Sequence, residues 1–469
     1  TGRVTAAGAP LPGVQVTATS PRLQGARATV SDAQGAYLIP LLPPGDYTVT
    51  FSMSGMQTHK ENLTLTATMT DTVNVDLKLA AVEGEIVVTA EKNMTAPIEA
   101  TAVSLNINQD LINELPIGRS MTAVTNLAPG VNTGGPSGNT VISGAMSFDS
   151  LYLINGVIVN ENLRGQPQDL YIEDAIEQTT VFTGGISAEY GHFTGGVVTM
   201  LTKSGGNQFQ GSFRTTLRNE SWTSPTPLTG EQEDKINPTY EATFGGPIWR
   251  DRLWFFTAGR YVDSSTIGQT QRGLARTGDQ YADGTPYVVG DPIDPITYPY
   301  ETDETRLEAK LTFAITNSHR LIGSYTDVDA TQMNYRRSGS MDLRSLNPDR
   351  QLPNTLMALN YNGVITENFF IEAQASKKEY SFLNSGSSWY DLINGTLVLD
   401  RARGTRYWSP TFRIKPGGEQ RDHELFTLNG TYFLSTSSFG THEIKAGYEY
   451  FNEIRDVNNY QNGSDYRVS

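Results

Sequence analysis

The chain has 469 residues, with 35 basic and 50 acidic side chains and a formal net charge of −15 at pH 7. Binding to nucleic-acid phosphates needs clustered basic residues, so this composition argues against a nucleic-acid partner. The absence of cysteine excludes disulfides and thiolate metal sites. No apolar run approaches the ~18 residues of a membrane-spanning helix. Strands that alternate apolar and polar residues would escape such a search.

Residues 1–80 predict a small β-sandwich. Short β-forming runs, such as residues 47–51, are separated by turn residues such as 43–46. We expect these strands to pair antiparallel. The pattern GRV…PLPGVQVTA…TVSDAQGAYLIPLLPPGDYTVTF closely resembles the carboxypeptidase regulatory-like domain, which implies a transthyretin-like fold. Because Thr1 falls within the first predicted strand, we expect a processed or truncated start.

A short apolar run, residues 86–90 (IVVTA), stands in a polar linker that we assign to residues 81–94. No neighbouring hairpin strand is predicted, so the run has nothing of its own to pair with. Its backbone N–H and C=O groups would suit the sheet edge of another protein. We therefore expect this segment to be mobile until a partner binds.

Residues 95–207 predict a compact α/β domain with glycine turns. The predicted elements are helices at 110–115 and 120–127, a hairpin at 151–159, a helical turn at 172–177 and a strand at 179–183. Ser120 is the expected N-cap of the second helix, and Asn155-Gly156 suits a type I′ turn. Three glycine pairs, which permit sharp turns and close backbone approach, lie at 184–185, 195–196 and 205–206.

Three segments carry a specific resemblance: LPIGRSMTAVTNLAPGV (115–131), LYLINGVIVNEN (151–162) and FTGGISAEYGHFTGGVVTMLTKSGGNQFQGS (182–212). In order and spacing they resemble the plug of TonB-dependent receptors, in particular the Oar-like branch with its N-terminal regulatory-like domain. The glycan-importing SusC-like proteins share that N-terminal domain, but the motif that begins their plug is absent here. This departure argues against a SusD-like lipoprotein partner.

The same resemblance gives roles to two sets of residues. EIVVTA resembles the Ton box, which implies a TonB-binding strand made of Glu85, Ile86, Val87, Val88, Thr89 and Ala90. A plug-anchoring motif is assigned to Gly184, Gly185, Glu189, Tyr190, Gly191, Gly195 and Gly196. We expect the turn at Glu189 to be packed inside the lumen. A buried carboxylate must be paired. We therefore expect Glu189 to meet an arginine or lysine, or backbone donors, from the plug or from a lumen-facing strand position such as Arg214 or Arg218.

Residues 208–469 alternate strongly between apolar and polar side chains, which predicts strands with one face in lipid. About nine strands are predicted, at 209–219, 238–246, 252–263, 305–316, 319–328, 354–366, 368–381, 420–435 and 441–453. Lipid-facing positions should include Leu311, Phe313, Ile371, Ala373, Leu428 and Ala446. Lys310, Glu372 and Lys445 should face the lumen or the plug.

Connection lengths favour an outer-membrane β-barrel over a water-soluble sandwich. Short turns at one end alternate with long loops at the other, near 220–237, 264–304, 329–352 and 382–420. A soluble sandwich gives no reason for one end always to be short. Because plugged transporters use ~22 strands, we expect residues 208–469 to be the first part of a barrel that continues after Ser469.

No catalytic, metal-binding or cofactor-binding constellation is predicted. The five histidines lack metal-ligand spacing, and no nucleophile elbow or phosphate loop is present, so an enzyme is not expected. Residues 277–305 carry seven acidic and no basic side chains. We expect this segment to be a solvated loop. Binding of calcium or of a basic ligand is the alternative.

The sequence therefore predicts a mainly β protein: a transthyretin-like sandwich, an α/β plug and part of a large antiparallel transmembrane barrel. The resemblance implies TonB-dependent, energy-coupled transport of an unidentified extracellular substrate across the outer membrane of a Gram-negative bacterium. TonB, with its inner-membrane energising complex, would add a strand to the Ton box and pull. One alternative is a receptor that moves a peptide or protein, including outward. The other is an adhesin or structural barrel without transport.

Overall fold

The computed structural model describes the chain except for residues 7, 21–26, 41, 43–44, 66–70, 80–87, 91–102, 109–111, 113–118, 225–231, 271–272, 276–284, 287, 294, 317, 337–338, 341–342, 367, 403, 411 and 437–439. Within the described residues, no helix has both the length and the apolar character needed to cross a membrane. Strands dominate the structure, as the sequence predicts.

The N-terminal domain is a sandwich of two small sheets. Its strands are β1 (Gly2–Ala6), β2 (Ala9–Pro10), β3 (Gln15–Thr19), β4 (Arg27–Val30), β5 (Ala36–Tyr37), β6 (Gly45–Ser52), β7 (His59–Leu65) and β8 (Val75–Asp76), joined by β9 (Val88–Ala90) from the linker. One sheet contains β2-β1-β5 with β8 beside β1, and the other has the order β4-β3-β6-β7-β9. Alternate residues of β6, Tyr47, Val49 and Phe51, are buried in the shared core.

Two pairings in this domain correct the antiparallel expectation. β8 runs parallel to β1, and β9 runs parallel to β7. The sequence analysis also missed β7, because its sequence HKENLTL is polar and lacks a continuous β-forming run. Polar residues are common on strands near a sheet edge, where they discourage pairing with other molecules.

The second domain is built around a five-stranded mixed sheet. Its elements are β10 (Val103–Asn108), α1 (Met121–Thr125), β11 (Val131–Asn132), β12 (Val141–Ile142), β13 (Leu151–Ile154), β14 (Val157–Ile158), β15 (Ile176–Gly184) and β16 (Val197–Thr202). The main sheet has the order β10-β15-β16-β13-β14. The predicted helical turn is a 3₁₀ turn, Glu173–Ala175. Except for Ile112, the predicted helix 110–115 lies outside the described residues.

Local signals in this domain are confirmed. Ser120 caps α1, since its hydroxyl accepts a hydrogen bond from the Ala123 N–H at 3.2 Å. Asn155 and Gly156 have φ angles of +50° and +83°. Positive φ at both central residues is what a type I′ turn requires, so the β13–β14 hairpin forms as predicted.

Among the described residues, nine long strands form the wall sheet of the third domain, with one short strand beside it. They are β17 (Gln210–Arg218), β18 (Asn237–Trp249), β19 (Leu253–Gln269), β22 (Thr297–Thr316), β23 (His319–Tyr335), β25 (Asn354–Thr366), β26 (Phe369–Phe382), β29 (Glu419–Thr436) and β30 (Gly440–Asp456). Each pairs antiparallel with the next. This confirms the predicted number of strands and their order. We call this sheet the wall.

Several predicted loops are shorter than expected because strand pairing continues into them. β19 and β22 stay paired as far as Gln269↔Thr297, so part of the predicted loop 264–304 is strand. Shorter strands occupy other connections: β20 (Gly273–Leu274), β21 (Pro292–Ile293), β24 (Asn347–Gln351), β27 (Leu397–Asp400) and β28 (Thr405–Trp408), with β31 (Arg467–Val468) parallel to β27. These extensions lack the strict alternation by which the sequence reveals a wall strand.

The two faces of the wall differ as the alternation predicts. On β22, Leu311 and Phe313 are 51% and 37% exposed, whereas Lys310 and Thr312 are 5% and 4% exposed. The inner face packs on the second domain. Val328, Leu356 and Ala358 of the wall share a buried cluster with domain residues that include Tyr152, Ile154, Tyr171 and Met200. The second domain therefore fills the concave side of the wall, as a plug would.

Candidate functional site

Besides the apolar cluster, the plug and the wall make polar contacts, and Asp174 takes part in several of them. This carboxylate is 1% exposed and lies in the turn before β15. Ser212 donates to it at 2.5 Å, Arg214 Nε lies 3.0 Å away, and Arg119 of the plug approaches to 3.4 Å. Lys203 donates to the Asp174 carbonyl at 2.7 Å. Charge-assisted bonds from these segments compensate the burial of the carboxylate.

Tyr171 links this turn to the plug helix. The Tyr171 hydroxyl accepts the Met121 N–H at 2.8 Å and donates to Asp169 at 3.0 Å. Burial raises the pKa of Tyr171 well above its ordinary value, so the hydroxyl keeps the proton that it donates. The start of α1 is thereby tied to the segment that carries Asp174.

A chain of ion pairs extends from this turn along the wall. Arg260 on β19 lies 3.2 Å from Glu173 of the plug and also pairs with Glu304 on β22. Arg306 contacts Glu304 at 2.7 Å and donates to the Tyr171 carbonyl at 2.9 Å. Each arginine thus connects a plug group to a wall carboxylate. These ion pairs and hydrogen bonds therefore hold the plug against the wall.

Lys310 is the lumen-facing lysine that the alternation predicts, and it reaches the plug. Its ammonium group donates to the Thr202 carbonyl at 2.9 Å, the Thr202 hydroxyl at 2.6 Å and the Lys203 carbonyl at 3.0 Å. Glu308, two residues earlier on β22, accepts from the Thr202 hydroxyl at 2.5 Å. The end of β16 is therefore held by two alternate residues of one wall strand.

Other plug residues contact the later wall strands. Lys378 on β26 is fully buried and donates to the Asn160 carbonyl at 2.7 Å. Gln374 donates to the Asn155 carbonyl at 3.0 Å. Asn162 donates to the Asp422 carbonyl at 3.0 Å, and Arg421 pairs with Glu161. Polar contacts with the plug therefore come from both early and later strands of the wall.

Glu189 is paired with a lysine of the wall. Lys445 on β30 forms its ion pair and lies 3.9 Å from Glu372. An arginine or lysine at a lumen-facing position was expected, but the two examples named, Arg214 and Arg218, are wrong because they lie on β17, at the other end of the wall sheet, where Arg214 meets Asp174. Nearby, His192 lies 3.0 Å from Glu449 on β30.

The turn around Glu189 is also less buried than expected. Glu189 and Gly191 are exposed, whereas Tyr190 is half-buried with its ring 6.3 Å from that of Phe182. The turn lies beside β30. The expectation that the whole turn is packed in protein is not met by the described residues.

Glycines of the assigned motif serve distinct local needs. Gly185 has φ = +59°, which favours glycine. A Cβ on Gly195 would lie 2.5 Å from the Ser150 hydroxyl, and one on Gly196 would lie 2.6 Å from the Phe182 carbonyl. Close backbone approach between β15, β16 and the neighbouring loop explains both residues. Gly184 and Gly191 meet no such restriction, since a Cβ on either would find ordinary contact or open space.

Only half of the predicted Ton box is described. Glu85, Ile86 and Val87 lie outside the described residues, whereas Val88–Ala90 form β9. β9 pairs with the first three residues of β7. The expectation that the run has nothing of its own to pair with is therefore wrong, because the polar strand β7 was not recognised as a partner.

The acidic segment 277–305 is only partly a loop. Asp279, Asp283 and Asp294 lie outside the described residues. Glu301, Asp303 and Glu304 fall on β22, where Glu304 is neutralised by two arginines. In the described part of the chain, no three histidine, aspartate or glutamate side chains are grouped as a metal site would need.

Asp174, a buried plug residue that pairs with the wall, was not predicted from the sequence. The available signal was an acidic pair, Glu173-Asp174, inside the otherwise apolar run Tyr171–Ile176, written YIEDAI. A charge between buried apolar neighbours must be paired. Without knowledge of which wall strand lies opposite, the sequence could not name Ser212 and Arg214 as its partners.

Comparison with known families agrees with this architecture. The carboxypeptidase regulatory-like domain matches residues 1–78, the TonB-dependent receptor plug domain matches residues 96–198, and an outer membrane beta barrel domain matches residues 201–299. The chain carries the domain set of the Oar-like TonB-dependent outer-membrane receptors. This domain set places it in the outer membrane of a Gram-negative bacterium.

One curated relative is similar to this chain in sequence, and two solved transporters are similar to it in fold. The chain is 31% identical over 341 residues to the TonB-dependent transporter Oar of Myxococcus xanthus, covering 66% of this chain and 31% of Oar. The outer membrane transporter YddB from Escherichia coli superposes with a TM-score of 0.50 at 16% identity, covering 74% of this chain and 48% of YddB. A mutant ferric enterobactin receptor, PfeA, from Pseudomonas aeruginosa gives 0.52 at 15% identity, covering 76% and 49%. The chain thus spans about a third of Oar and about half of the solved transporters.

Proposed function

We propose that this receptor carries out TonB-dependent, energy-coupled transport of an extracellular substrate across the outer membrane. The observation that carries the proposal is the polar seat of the plug within the wall. Hydrogen bonds and ion pairs reach the plug from β22 and from β26. Each such bond from a charged donor contributes about 1.5–3 kcal/mol net. Mechanical work delivered through TonB can therefore rearrange the plug by breaking these bonds in steps.

The proposed partners follow from the domain order. The Ton box, residues 85–90, lies between the N-terminal domain and the plug, so a pull on it reaches the plug through the linker. TonB, driven by its inner-membrane energising complex, would bind there by strand addition. Lipid would cover the outer face of the wall, and substrate would bind at the extracellular loops and plug apices. No step in this mechanism requires a catalytic residue or a cofactor.

The assigned motif from Gly184 to Gly196 is proposed to anchor the plug against the wall. The Glu189–Lys445 and His192–Glu449 pairs support this role. Both connect the motif to β30. Its function in the proposal is structural, because it fixes where the plug meets the later wall strands.

Val87→Pro tests the coupling step. Proline removes the backbone N–H that strand addition uses, so we expect TonB affinity to fall by about tenfold or more. The measurement is calorimetric titration of the purified full-length receptor with the periplasmic domain of TonB. Val87→Ala keeps the N–H and should bind nearly as the wild type does. Equal affinity for all three proteins would contradict the Ton-box assignment.

A further inference from the structure

The strand β9 belongs to one of the two sheets of the N-terminal domain. β9 pairs with β7 in the register His59↔Val88, Lys60↔Thr89 and Glu61↔Ala90. On its other side, β7 pairs with β6 along its whole length, from His59↔Phe51 to Leu65↔Gly45. β6 in turn places three aromatic or aliphatic side chains in a buried core. The Ton-box strand β9 is therefore paired with a domain that has its own hydrophobic core.

One edge of β9 remains open. The sheet order β4-β3-β6-β7-β9 ends with β9, so no strand pairs with its outer edge within the described part of the chain. Successive residues of a strand direct their N–H and C=O groups to alternate sides. Pairing with β7 therefore leaves part of the backbone of β9 available to a further strand. Addition of an extended segment to such an edge is a recurring mode of peptide recognition.

We propose, building on the proposed function, that the N-terminal domain presents the Ton box to TonB. An extended TonB strand adds to the outer edge of β9 and continues the sheet while β9 stays paired with β7. Ordering a free segment costs conformational entropy. Because β7 already holds Val88–Ala90 in extended form, TonB binding avoids that cost. The regulatory-like domain thus acts as a docking platform for the coupling partner.

A cysteine pair tests the docking of β9 without reference to TonB. The chain has no native cysteine, so Lys60→Cys with Thr89→Cys can be introduced into the full-length receptor. We expect a disulfide under mild oxidation, because these positions are register partners. The control pair, Thr64→Cys with Thr89→Cys, moves one cysteine about 13 Å along β7 and should not crosslink. Failure of the first pair, or equal yields from both, would overturn the docking of β9.

TonB affinity of the crosslinked receptor then tests presentation. We expect the oxidised Lys60→Cys/Thr89→Cys protein to bind the TonB periplasmic domain within about threefold of its reduced form, or more tightly. The single Thr89→Cys variant controls for the altered Ton-box side chain. A larger loss that reductant reverses would mean that β7 and TonB compete for β9, and would overturn the proposal.

The two hypotheses fail in different ways. If the wild-type receptor does not bind TonB at all, the proposed function and the partner named here are both wrong, whatever the crosslinking yields. If wild-type receptor binds TonB but the crosslinked form does not, the proposed function stands and only presentation by the N-terminal domain is wrong.

Discussion

At the scale of single residues, Asp174 decides how the plug meets the first wall strand. Its carboxylate accepts from Ser212 and pairs with Arg214 of β17 and with Arg119 of the plug. Such a group is stable in a buried site only while its partners stay in place. The plug turn and the start of the wall are therefore fixed relative to each other.

Asp174→Asn should loosen this seat. The amide is nearly isosteric but uncharged, so Arg119 and Arg214 each lose one ion pair. Both arginines are partly exposed, so we expect a cost below the ~3–5 kcal/mol of a fully buried pair. We expect the backbone amides of the variant's plug to exchange with solvent at a lower urea concentration than those of the wild type, while the wall still assembles. Hydrogen exchange of the plug peptides, followed across a urea series, measures this.

Asp169→Asn is the matched control, because that side chain is 62% exposed and lies five residues away in the same segment. Its effect should stay within about 1 kcal/mol. Equal effects of the two substitutions would mean that Asp174 does not anchor the plug.

At this scale, the accuracy of the sequence-based predictions depended on whether the interaction was local or long-range along the chain. Alternation along β22 was enough to place Lys310 on the plug side, and the structure confirms this. The partner of Glu189 was mispredicted, because choosing between Arg214 and Lys445 requires knowing which wall strand lies beside that turn. The local pattern predicts which face of a strand a side chain occupies. Its contact partner depends on the tertiary fold.

At the scale of elements, the wall strands follow from binary pattern. Nine alternating segments predicted nine paired strands, and the hairpin at Asn155-Gly156 followed from turn chemistry. Strand ends were less accurate, since the paired extensions of β19 and β22 need not alternate. β7 was missed for a related reason: its polar sequence carries no apolar periodicity, and its neighbours hold it in place.

Phe313→Arg should impair assembly more than Lys310→Arg. Phe313 faces outward, and an arginine on the lipid-facing surface costs up to about 2–4 kcal/mol, most at the middle of the bilayer and less toward its edges. Lys310 faces the plug, where a positive charge already donates to Thr202 and Lys203. Heat-modifiable migration of the folded barrel in detergent measures assembly of both variants.

Single cysteines at the same two positions give an independent check of the register. A lipid-soluble maleimide should label position 313 and spare position 310. Equal labelling at both positions would contradict the assigned faces of β22.

At the scale of the whole molecule, three domains lie in the order that coupling needs. The N-terminal domain carries β9 on its sheet edge, the linker leads to the plug, and the plug is bonded to both early and late wall strands. Domain types and their order could be predicted from motifs, because each has its own turn chemistry and periodicity. The pairing of β9 with β7 could not be predicted from the sequence, since it joins residues of the linker to a strand of the N-terminal domain.

The central claim is energy-coupled transport, and it can be tested before the substrate is known. Cells producing the full-length receptor are grown in complex medium, and solutes remaining in the spent medium are compared by mass spectrometry. We predict at least one solute that wild-type cells deplete, but that cells with Val87→Pro and cells lacking TonB leave behind. Depletion of the same solutes by all three strains would contradict TonB-dependent transport by this receptor.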